Sequence, residues 1–312
     1  MRIEEIKFGD YTAKINLDRG ANCISLRNRK HGAVILREPD YSAELDNPYL
    51  YGMPILFPVN RIEGGSFEFE GRTYTFPINE PKTGCHLHGE LHRTPFELVK
   101  RSESRIVCRF RADAEHPYLG FPHAFEITVN YRLSLGGLIH VTKVKNLSDS
   151  NMPVFIGFHT TFNSSFIDGA KKENIRARVD ILREFERNMD TYLPTGKEPA
   201  ADEVTRFLNS GEFNPFSRPI SRHYESGPSG AMALCDRESG ISVMYRSSAN
   251  LGYRIIYNGQ ADGYICLEPQ SCIANCQNSP FERDSVGFDF IAPGETKTYK
   301  SRIFLTKSKI CK

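Results

Sequence analysis

Side chains that could transfer protons occur in four short segments of this 312-residue chain. In the first, Cys85-His-Leu-His-Gly-Glu-Leu-His-Arg93, three histidines fall within seven residues. If the segment is a strand, His86 and His88 share one face, because alternate side chains of a strand point the same way. Such a pair can bind a metal with His92 as a third ligand, perform acid/base chemistry, or simply bond to loop backbone. The spacing alone leaves all three interpretations open.

The second and third segments place a titratable group in an apolar stretch. Ile156-Gly-Phe-His-Thr-Thr-Phe-Asn163 contains His159 beside two hydroxyls and an amide. In Tyr264-Ile-Cys-Leu-Glu-Pro-Gln270 a carboxylate precedes proline at the end of an apolar run, so we expect Glu268 at a strand edge, partly desolvated. Desolvation raises a carboxylate's affinity for protons and makes it a candidate general base, whereas a solvated surface charge is the alternative.

The fourth segment, Pro58-Val-Asn-Arg-Ile-Glu-Gly-Gly65, carries Asn60 and Arg61 ahead of a hairpin pattern. An amide and a guanidinium on the rim of a pocket suit the recognition of hydroxyl or carboxylate groups. A plain surface position is the alternative interpretation for both side chains.

The elements that must position these groups are predicted to be strands. Residues 125–135 alternate apolar and polar side chains without interruption, and after Gly136-Gly137 the alternation returns over 138–144, which indicates a hairpin. A weak helical pattern covers 201–208, and the charged stretch 166–222 is predicted to form long loops. Further strands are predicted at 3–8, 11–15, 67–69, 74–76, 96–100, 105–110, 232–234, 241–245, 253–257, 263–268, 286–291 and 298–305.

Short strands at this spacing favour an all-β sandwich or barrel over alternating strands and helices. No linker divides the chain, so we predict a single domain over 1–312. A phosphate-binding loop, a dinucleotide fingerprint and a nucleophile elbow are all missing from the sequence. NTPases, dinucleotide enzymes and serine hydrolases are therefore disfavoured.

The charge and composition limit the classes of partner that the protein could bind. The net charge is only +2 and the basic residues form no stripe along the sequence, which argues against nucleic acid as a partner. No apolar run is long enough for a membrane span, and the first residues carry no signal-like stretch, so we expect no membrane partner and a cytoplasmic protein. Eight scattered cysteines should then be mostly buried free thiols.

Taken together, the four segments resemble the aldose 1-epimerase (galactose mutarotase) family. The resemblance rests on Asn60-Arg61-Ile62, Leu87-His88-Gly89, His159-Thr-Thr-Phe-Asn163, Leu193-Pro-Thr-Gly196 and Leu267-Glu-Pro-Gln270, which occur in family order. It implies a large antiparallel β-sandwich of the supersandwich, galactose mutarotase-like type. It also implies an isomerase that acts on a small-molecule sugar, needs no metal and no cofactor, and exists as a monomer or homodimer.

The resemblance implies a role for each matched residue. Glu268 is similar to the family's general base and His159 to its general acid, which together interconvert the α and β anomers of a free aldose by opening the ring. His88, Arg61, Asn60 and Gln270 match positions that bind substrate. The family's sugar-binding Asp would fall near Ser221-Arg-His-Tyr224, where no Asp is present, so Arg222 and Tyr224 are candidate substrate-binding residues instead.

An arginine in place of that Asp leaves room for an acidic or phosphorylated sugar. Two other functions also stay open at this point. One is a metal-dependent, cupin-like enzyme that uses His86, His88 and His92, and the other is a carbohydrate-binding protein without turnover. Because the chain has no Trp, stacking on a sugar ring must come from Phe or Tyr, and we predict Phe57, Phe162 and Tyr224.

Overall fold

Strands are the main regular secondary structure of the described residues, as the alternation of apolar and polar residues predicts. The structure, a computed structural model, describes residues 1–41, 45 and 47–307. In its first half the strands are β1 (Ile3–Phe8), β2 (Tyr11–Asn16), β3 (Asn22–Asn28), β4 (Ala33–Val34), β5 (Ile55–Leu56), β6 (Arg61–Glu63), β7 (Ser66–Phe69), β8 (Arg72–Thr75), β9 (Cys85–Leu87), β10 (Glu97–Arg101), β11 (Arg105–Ala112), β12 (Phe125–Ser134) and β13 (Gly137–Asn146).

The second half continues in the same way. Its strands are β14 (Met152–Pro153), β15 (Gly157–Phe158), β16 (Thr161–Asn163), β17 (Ile175–Val179), β18 (Ile181–Phe185), β19 (Ser221–Ser226), β20 (Ala231–Asp236), β21 (Ile241–Ser247), β22 (Tyr253–Tyr257), β23 (Tyr264–Gln270), β24 (Phe290–Ile291) and β25 (Thr296–Lys307). Short 3-10 helices lie at Arg29–His31, Pro48–Leu50, Leu91–Arg93, Lys172–Asn174, Cys276–Asn278 and Arg283–Val286.

One α-helix, α1 (Glu203–Ser210), occurs among the described residues. Its first turn is capped by Asp202, whose Oδ1 accepts a hydrogen bond from the Thr205 backbone N–H at 2.9 Å, and it ends at Gly211 in the left-handed region. The sequence pattern over 201–208 therefore predicts this helix to within two residues.

Two large antiparallel sheets dominate the architecture. The eight-stranded sheet has the order β10-β11-β12-β13-β25-β21-β20-β17, and the seven-stranded sheet has the order β18-β19-β22-β23-β15-β5 with β16 also paired to β23. A four-stranded sheet, β1-β2-β3-β4, and three two-stranded pairs (β6-β9, β7-β8 and β14-β24) complete the topology. The predicted hairpin is confirmed, since β12 and β13 pair from Phe125↔Asn146 to Ser134↔Gly137.

The two large sheets pack face to face through buried aromatic side chains. His140 on β13 meets the edge of Phe158 on β15, with ring centroids 4.6 Å apart. Tyr245 on β21 contacts Phe162 on β16 at 5.6 Å, and its hydroxyl hydrogen-bonds to the Thr160 hydroxyl at 2.9 Å. Burial of such large rings is a main source of folding free energy in a sandwich. The fold is thus the predicted all-β antiparallel sandwich.

Two predictions of local structure were wrong. The stretch 166–222 contains β17 and β18 as well as α1, because Arg176 and Arg178 lie on the outer face of β17 and hide its alternation with buried Ile175, Ala177 and Val179. The strand predicted over 286–291 is reduced to β24, since residues 283–286 form a 3-10 turn that ends at Gly287.

The hydrophobic core connects the two halves of the described chain. One hydrophobic cluster runs from Ile6 to Ile303, while residues 308–312 lie outside the described part, so the single domain over 1–312 stays a prediction.

No helix among the described residues has both the length and the apolar character to cross a membrane. Six cysteines are buried free thiols, as predicted: Cys23, Cys85, Cys108, Cys266, Cys272 and Cys276.

Candidate active site

A pocket of about 250 Å³ opens over the seven-stranded sheet. Pockets for drug-sized ligands typically measure about 300–1,000 Å³, so this one suits a smaller ligand. Strands β19, β22 and β23 supply its floor, and loops from both halves of the chain supply its walls. The lining residues are Asn47, Tyr49, Leu50, Asn60, Arg61, Glu80, Leu87, His88, His159, Arg187, Tyr192, Ser221, Ile255, Tyr257 and Glu268.

Glu268 lies inside β23 and not at the predicted strand edge. β23 is flanked by β22 on one side and by β15 and β16 on the other, and Glu268 is buried opposite Ile255. Pro269, which lacks an N–H, is tolerated because β16 pairs only with Tyr264–Cys266 while β15 resumes at Gln270. The proline therefore occupies a gap in the ladder, and the strand continues past it.

Two side chains face the carboxylate of Glu268. Nε2 of His159 lies 3.3 Å from Oε1, and Gln270 donates from Nε2 to Oε2 at 3.2 Å. Gln270 is fixed in turn, because its Oε1 accepts from Nδ2 of Asn60 at 3.0 Å. A side chain at Gly157 would collide with Gln270 and Val59, so this glycine makes room for the network.

Burial sets the proton affinities of the pair in opposite directions. Burial raises the pKa of Glu268 to about 8, although Arg187, Gln270 and Arg61 favour the ionised form. Burial lowers the pKa of His159 to about 4. At a pH between about 4 and about 8, the two side chains together hold one proton that can move between them. An acid and a base that share one proton within a small pocket can protonate one atom of a ligand and deprotonate another.

His88 and Asn60 are held against each other by reciprocal hydrogen bonds. The His88 backbone N–H donates to the Asn60 carbonyl at 3.0 Å, and the Asn60 backbone N–H donates to Nδ1 of His88 at 3.2 Å. Burial, followed by His159 and Arg61, keeps the pKa of His88 well below its usual value, so its ring is neutral. Because Nδ1 accepts a hydrogen bond, the proton is on Nε2, and this tautomer offers a donor to a ligand oxygen.

Arg61 forms the wall beside His88. Its guanidinium binds both oxygens of Glu80, at 2.6 and 2.7 Å, and lies over the Tyr192 ring with Cζ 4.5 Å from the centroid. Burial alone would raise the pKa of Glu80, but the bonds from Arg61 and Thr83 outweigh it and lower that pKa. The charge of Arg61 is therefore largely balanced within the protein.

Arg222 and Tyr224 were predicted as substrate-binding residues, and the structure places them outside the pocket. Successive side chains of β19 alternate between its faces, and Ser221 is the one that lines the pocket. Arg222 pairs with Glu184 at 2.7 Å and with Asp202 at 2.8 Å on the other face. Tyr224 is fully buried there, with its hydroxyl 3.3 Å from the Thr205 hydroxyl. Both residues help to dock α1 on the sheet.

The predicted stacking residues also lie elsewhere. Phe57 packs in an aromatic core cluster, with its centroid 5.2 Å from that of Phe121, and Phe162 packs between the sheets. The aromatic side chains that line the pocket are instead Tyr49, Tyr192 and Tyr257. Tyr49 contacts the rings of His88 and His159, with centroids 4.7 and 6.1 Å away.

Sequence reasoning missed several polar residues of the pocket, among them Arg187 and Ser221. Arg187 follows β18, is 9% exposed and donates from Nη2 to the Ser221 hydroxyl at 2.9 Å. Its loop, residues 186–197, folds back on itself through backbone bonds such as Asn188 N–H to Leu193 O at 2.9 Å. The Leu193-Pro-Thr-Gly196 motif marks this loop in the sequence, but it carries no sign that the arginine seven residues before Pro194 points to the site.

The three clustered histidines do not converge in the way that the alternative of a metal-dependent enzyme requires. β9 ends at Leu87 and His88 adopts a positive φ of 66°, so His86 and His88 do not share a face. His86 is buried against Phe76 and bonds through Nδ1 to the Pro77 carbonyl at 2.8 Å, whereas His92 packs on Tyr49.

A different group has the composition of a metal-binding set. Across residues 1–41, 45 and 47–307, the one place where three potential ligand atoms converge within 4.8 Å comprises His159, Cys266 and Glu268. Period-two alternation in β23 brings the Cys266 thiol to the face that carries Glu268. A metal held there would occupy the same atoms that could transfer protons.

The comparisons with known proteins agree on one family. The sequence model of the aldose 1-epimerase family matches residues 4–303. The chromosomal LacX protein of Lactococcus lactis subsp. lactis is 31% identical over 252 residues, which cover 74% of this chain and 78% of that protein.

Solved structures share the fold. A galactose mutarotase-like protein from Clostridium acetobutylicum superposes with a TM-score of 0.90 at 28% identity and covers 99% of both chains. A galactose mutarotase-like protein from Lactobacillus casei superposes with a TM-score of 0.75 at 20% identity and covers 98% of this chain and 100% of that one. The second likeness shows the fold alone.

Proposed function

The chain belongs to the aldose 1-epimerase family, and from that premise we propose that its pocket interconverts the α and β anomers of a free aldose or modified aldose. One observation carries the proposal, which is the distance of 3.3 Å between Nε2 of His159 and Oε1 of Glu268 in a pocket of about 250 Å³. The two sugar oxygens that exchange protons in anomerisation are both bonded to C1. An acid and a base that serve them must therefore lie close together.

Ring opening uses the tautomer in which Glu268 is a carboxylate and His159 an imidazolium. Glu268 accepts the proton of the C1 hydroxyl, and Nε2 of His159 donates its proton to the ring oxygen. The bond between C1 and the ring oxygen breaks, and C1 becomes an aldehyde carbon. The products are a carboxylic acid and a neutral imidazole, which is the tautomer that burial favours through the pKa values of both groups.

Ring closure reverses these transfers after rotation about the C1–C2 bond. The ring hydroxyl attacks either face of the aldehyde and gives its proton to His159, while Glu268 returns a proton to the C1 oxygen. The pair begins and ends with the same single proton, so no net proton is exchanged with solvent. Each proton-transfer group can contribute about 10²–10⁴-fold in rate.

The surrounding groups support this assignment by holding the sugar and the pair in place. Gln270 and Asn60 orient the carboxylate of Glu268 through two successive hydrogen bonds. Neutral His88 and the Arg61 guanidinium offer donors to ring hydroxyls from the wall of the pocket. Preorganised positioning of this kind supplies a large part of enzymatic rate enhancement.

Exchange spectroscopy by NMR tests the proposal. A panel of aldoses, sugar phosphates and uronic acids would be equilibrated with the protein, and the exchange rate between the α and β anomeric protons would be measured against buffer. We expect at least one sugar to exchange faster with the protein, and the Glu268→Gln variant to abolish the acceleration. If no sugar in the panel is accelerated, the enzyme proposal fails, and saturable sugar binding without exchange would then indicate a binding protein.

A further inference from the structure

Arg187 is a buried cation of the pocket with few hydrogen-bond acceptors around it. Its guanidinium is accounted for by one hydrogen bond, to the Ser221 hydroxyl at 2.9 Å, and by the Tyr192 ring, whose centroid lies 5.7 Å from Cζ. It forms no ion pair with any carboxylate in the described part of the chain. Burial lowers the pKa of Arg187 to about 10, and repulsion from Arg61 acts in the same direction.

Arginines in and around the seven-stranded sheet show how the protein satisfies such a group inside the structure. Arg61 binds Glu80, and Arg222 binds Glu184 and Asp202. Arg254 is buried to 1% exposure without a carboxylate, but it donates to the carbonyls of Leu251, Tyr253 and Gly230 and to the hydroxyls of Ser226 and Ser247. Arg187 has neither arrangement, although a desolvated guanidinium without acceptors is costly.

An anionic group of a ligand in the pocket would supply the acceptors that Arg187 lacks. Glu268 does not supply them, since the two side chains form no ion pair in the described part of the chain, although the charge of Arg187 favours the ionised form of Glu268. The side chain of β19 that reaches Arg187 is Ser221, a hydroxyl and not a carboxylate. A guanidinium fork matches the oxygens of a phosphate or carboxylate group in geometry as well as in charge.

We propose that this pocket selects sugars that carry an anionic substituent, a phosphate or a carboxylate, and that Arg187 binds that substituent beside Ser221 and Arg61. The inference rests on the proposed anomerisation, since the same sugar must present C1 to Glu268 and His159. It also limits the position of the charge. A sugar phosphorylated on O1 has no free C1 hydroxyl and cannot anomerise, so the anionic group must be on another carbon.

Matched sugars that differ in one substituent test the inference. Exchange NMR would give kcat/KM for glucose, glucose 6-phosphate and glucuronate, and for the galactose counterparts, each corrected for the rate in buffer. We expect at least one charged class to exceed its neutral parent by about 10- to 100-fold, the range of a charge-assisted hydrogen bond. A preference for the 6-phosphates identifies phosphate as the substituent, and a preference for the uronates identifies carboxylate.

Variants at Arg187 separate binding from other roles. Arg187→Gln should raise KM for the charged sugar by about 10- to 100-fold relative to KM for its neutral parent. Because Arg187 also favours the ionised form of Glu268, any change in kcat should be shared by the charged and the neutral sugar, and the neutral sugar serves as the reference. Arg187→Lys, which keeps the charge but loses the fork, should lie between. Arg222→Gln, a matched change outside the pocket, should change neither. Thermal unfolding would show that each variant is folded.

The possible results distinguish this inference from the proposed function. Equal kcat/KM for charged and neutral sugars, with no effect of Arg187→Gln on KM, overturns the inference and leaves the anomerisation intact. An equal loss of kcat/KM for charged and neutral sugars also overturns it, because Arg187 would then act only through Glu268. Calorimetric binding of glucose 6-phosphate or glucuronate that Arg187→Gln weakens, without any exchange, would support the anion site while the proposed function fails.

Discussion

The two faces of strand β19 carry charged clusters that are organised in opposite ways. On one face Arg222 pairs with both Glu184 and Asp202, and the Thr205 hydroxyl donates to Glu184 from α1. On the other face, which forms the pocket, Arg187 forms no ion pair with a carboxylate of the described residues, and the carboxyl group of Glu268 contacts the side chains of His159 and Gln270. Paired charges fix a helix on the sheet, whereas buried groups without charged partners cost stability and stay available to a ligand.

The largest expected difference between the two faces is in rate. Glu268→Gln keeps the size of the side chain but removes the proton acceptor, so we expect kcat/KM to fall by about 10²–10⁴-fold. Arg222→Gln, on the opposite face, should change kcat/KM less than twofold. Exchange NMR on the best sugar of the panel measures both. A Glu268→Gln variant that retains a tenth of the wild-type rate would show that another group is the base.

The next largest effect is on the pH dependence of stability. The pKa of Glu268 is raised from 4.5 to about 8, so the native state binds a proton that the unfolded state has already released. The stability of the wild type should therefore fall as pH rises from about 4.5 to about 8, whereas Glu268→Gln does not titrate. Relative to the variant, the wild type should lose about 3–5 kcal/mol between pH 4.5 and 9.

Urea unfolding at pH 5, 7 and 9 measures this difference. The depressed pKa of His159 affects the comparison only below its usual value of 6.5, so the change between pH 7 and 9 isolates Glu268. Parallel stability curves for the two proteins would contradict the buried, protonated state of Glu268.

The third prediction concerns the stability that the ion pairs on the opposite face of β19 contribute. Arg222→Gln removes both ion pairs and leaves the carboxylate of Glu184, which is only 7% exposed, without its charged partner. We expect a loss of about 1.5–3 kcal/mol in the free energy of unfolding, measured by urea denaturation. Arg109→Gln, which breaks the exposed pair with Glu97, is the matched control and should cost less than about 1 kcal/mol. Equal losses in both variants would place the Arg222 pairs in the class of surface ion pairs.

The sequence predicts local pairings far better than the sheet that they build. The β12–β13 hairpin is predictable because both strands and their Gly-Gly turn are adjacent in the chain. The interior position of Glu268 depends on β15, β16 and β22, which reach β23 from separate parts of the chain. Pro269 consequently suggests a strand end until the gap in the ladder between β15 and β16 is known.

The site residues also fall into two groups, those that a local sequence motif identifies and those that only the folded structure identifies. The segments around Asn60, His88, His159 and Glu268 are recognisable from their motifs, and the structure brings them to one pocket. Arg222 was predicted to bind substrate because it lies near the position of the missing family Asp, but neighbouring residues of a strand lie on opposite faces and the pocket is lined by Ser221. No sequence pattern around Arg187 marks it as a site residue. Its proposed role follows from the lack of an ion pair with any carboxylate of the described residues, which only the folded structure reveals.

The smallest expected effect concerns Gln270, which is proposed to orient Glu268 without touching the reacting atoms. Gln270→Met keeps the length of the side chain but removes the donor to Oε2 of Glu268 and the acceptor for Asn60. The loss of one such hydrogen bond should lower kcat by about tenfold. Gln277→Met, a matched change of a buried glutamine outside the pocket, should leave kcat unchanged.

The pH profile distinguishes orientation from a merely structural role for Gln270. Wild-type activity should fall below pH of about 4, where His159 binds a second proton, and above pH of about 8, where the pair loses its proton. Because the bond from Gln270 lowers the pKa of Glu268, its removal should move the alkaline limb to higher pH and leave the acid limb in place. A uniform loss of rate with both limbs unmoved would mean that Gln270 supports the fold of the pocket but does not set the proton affinity of its base.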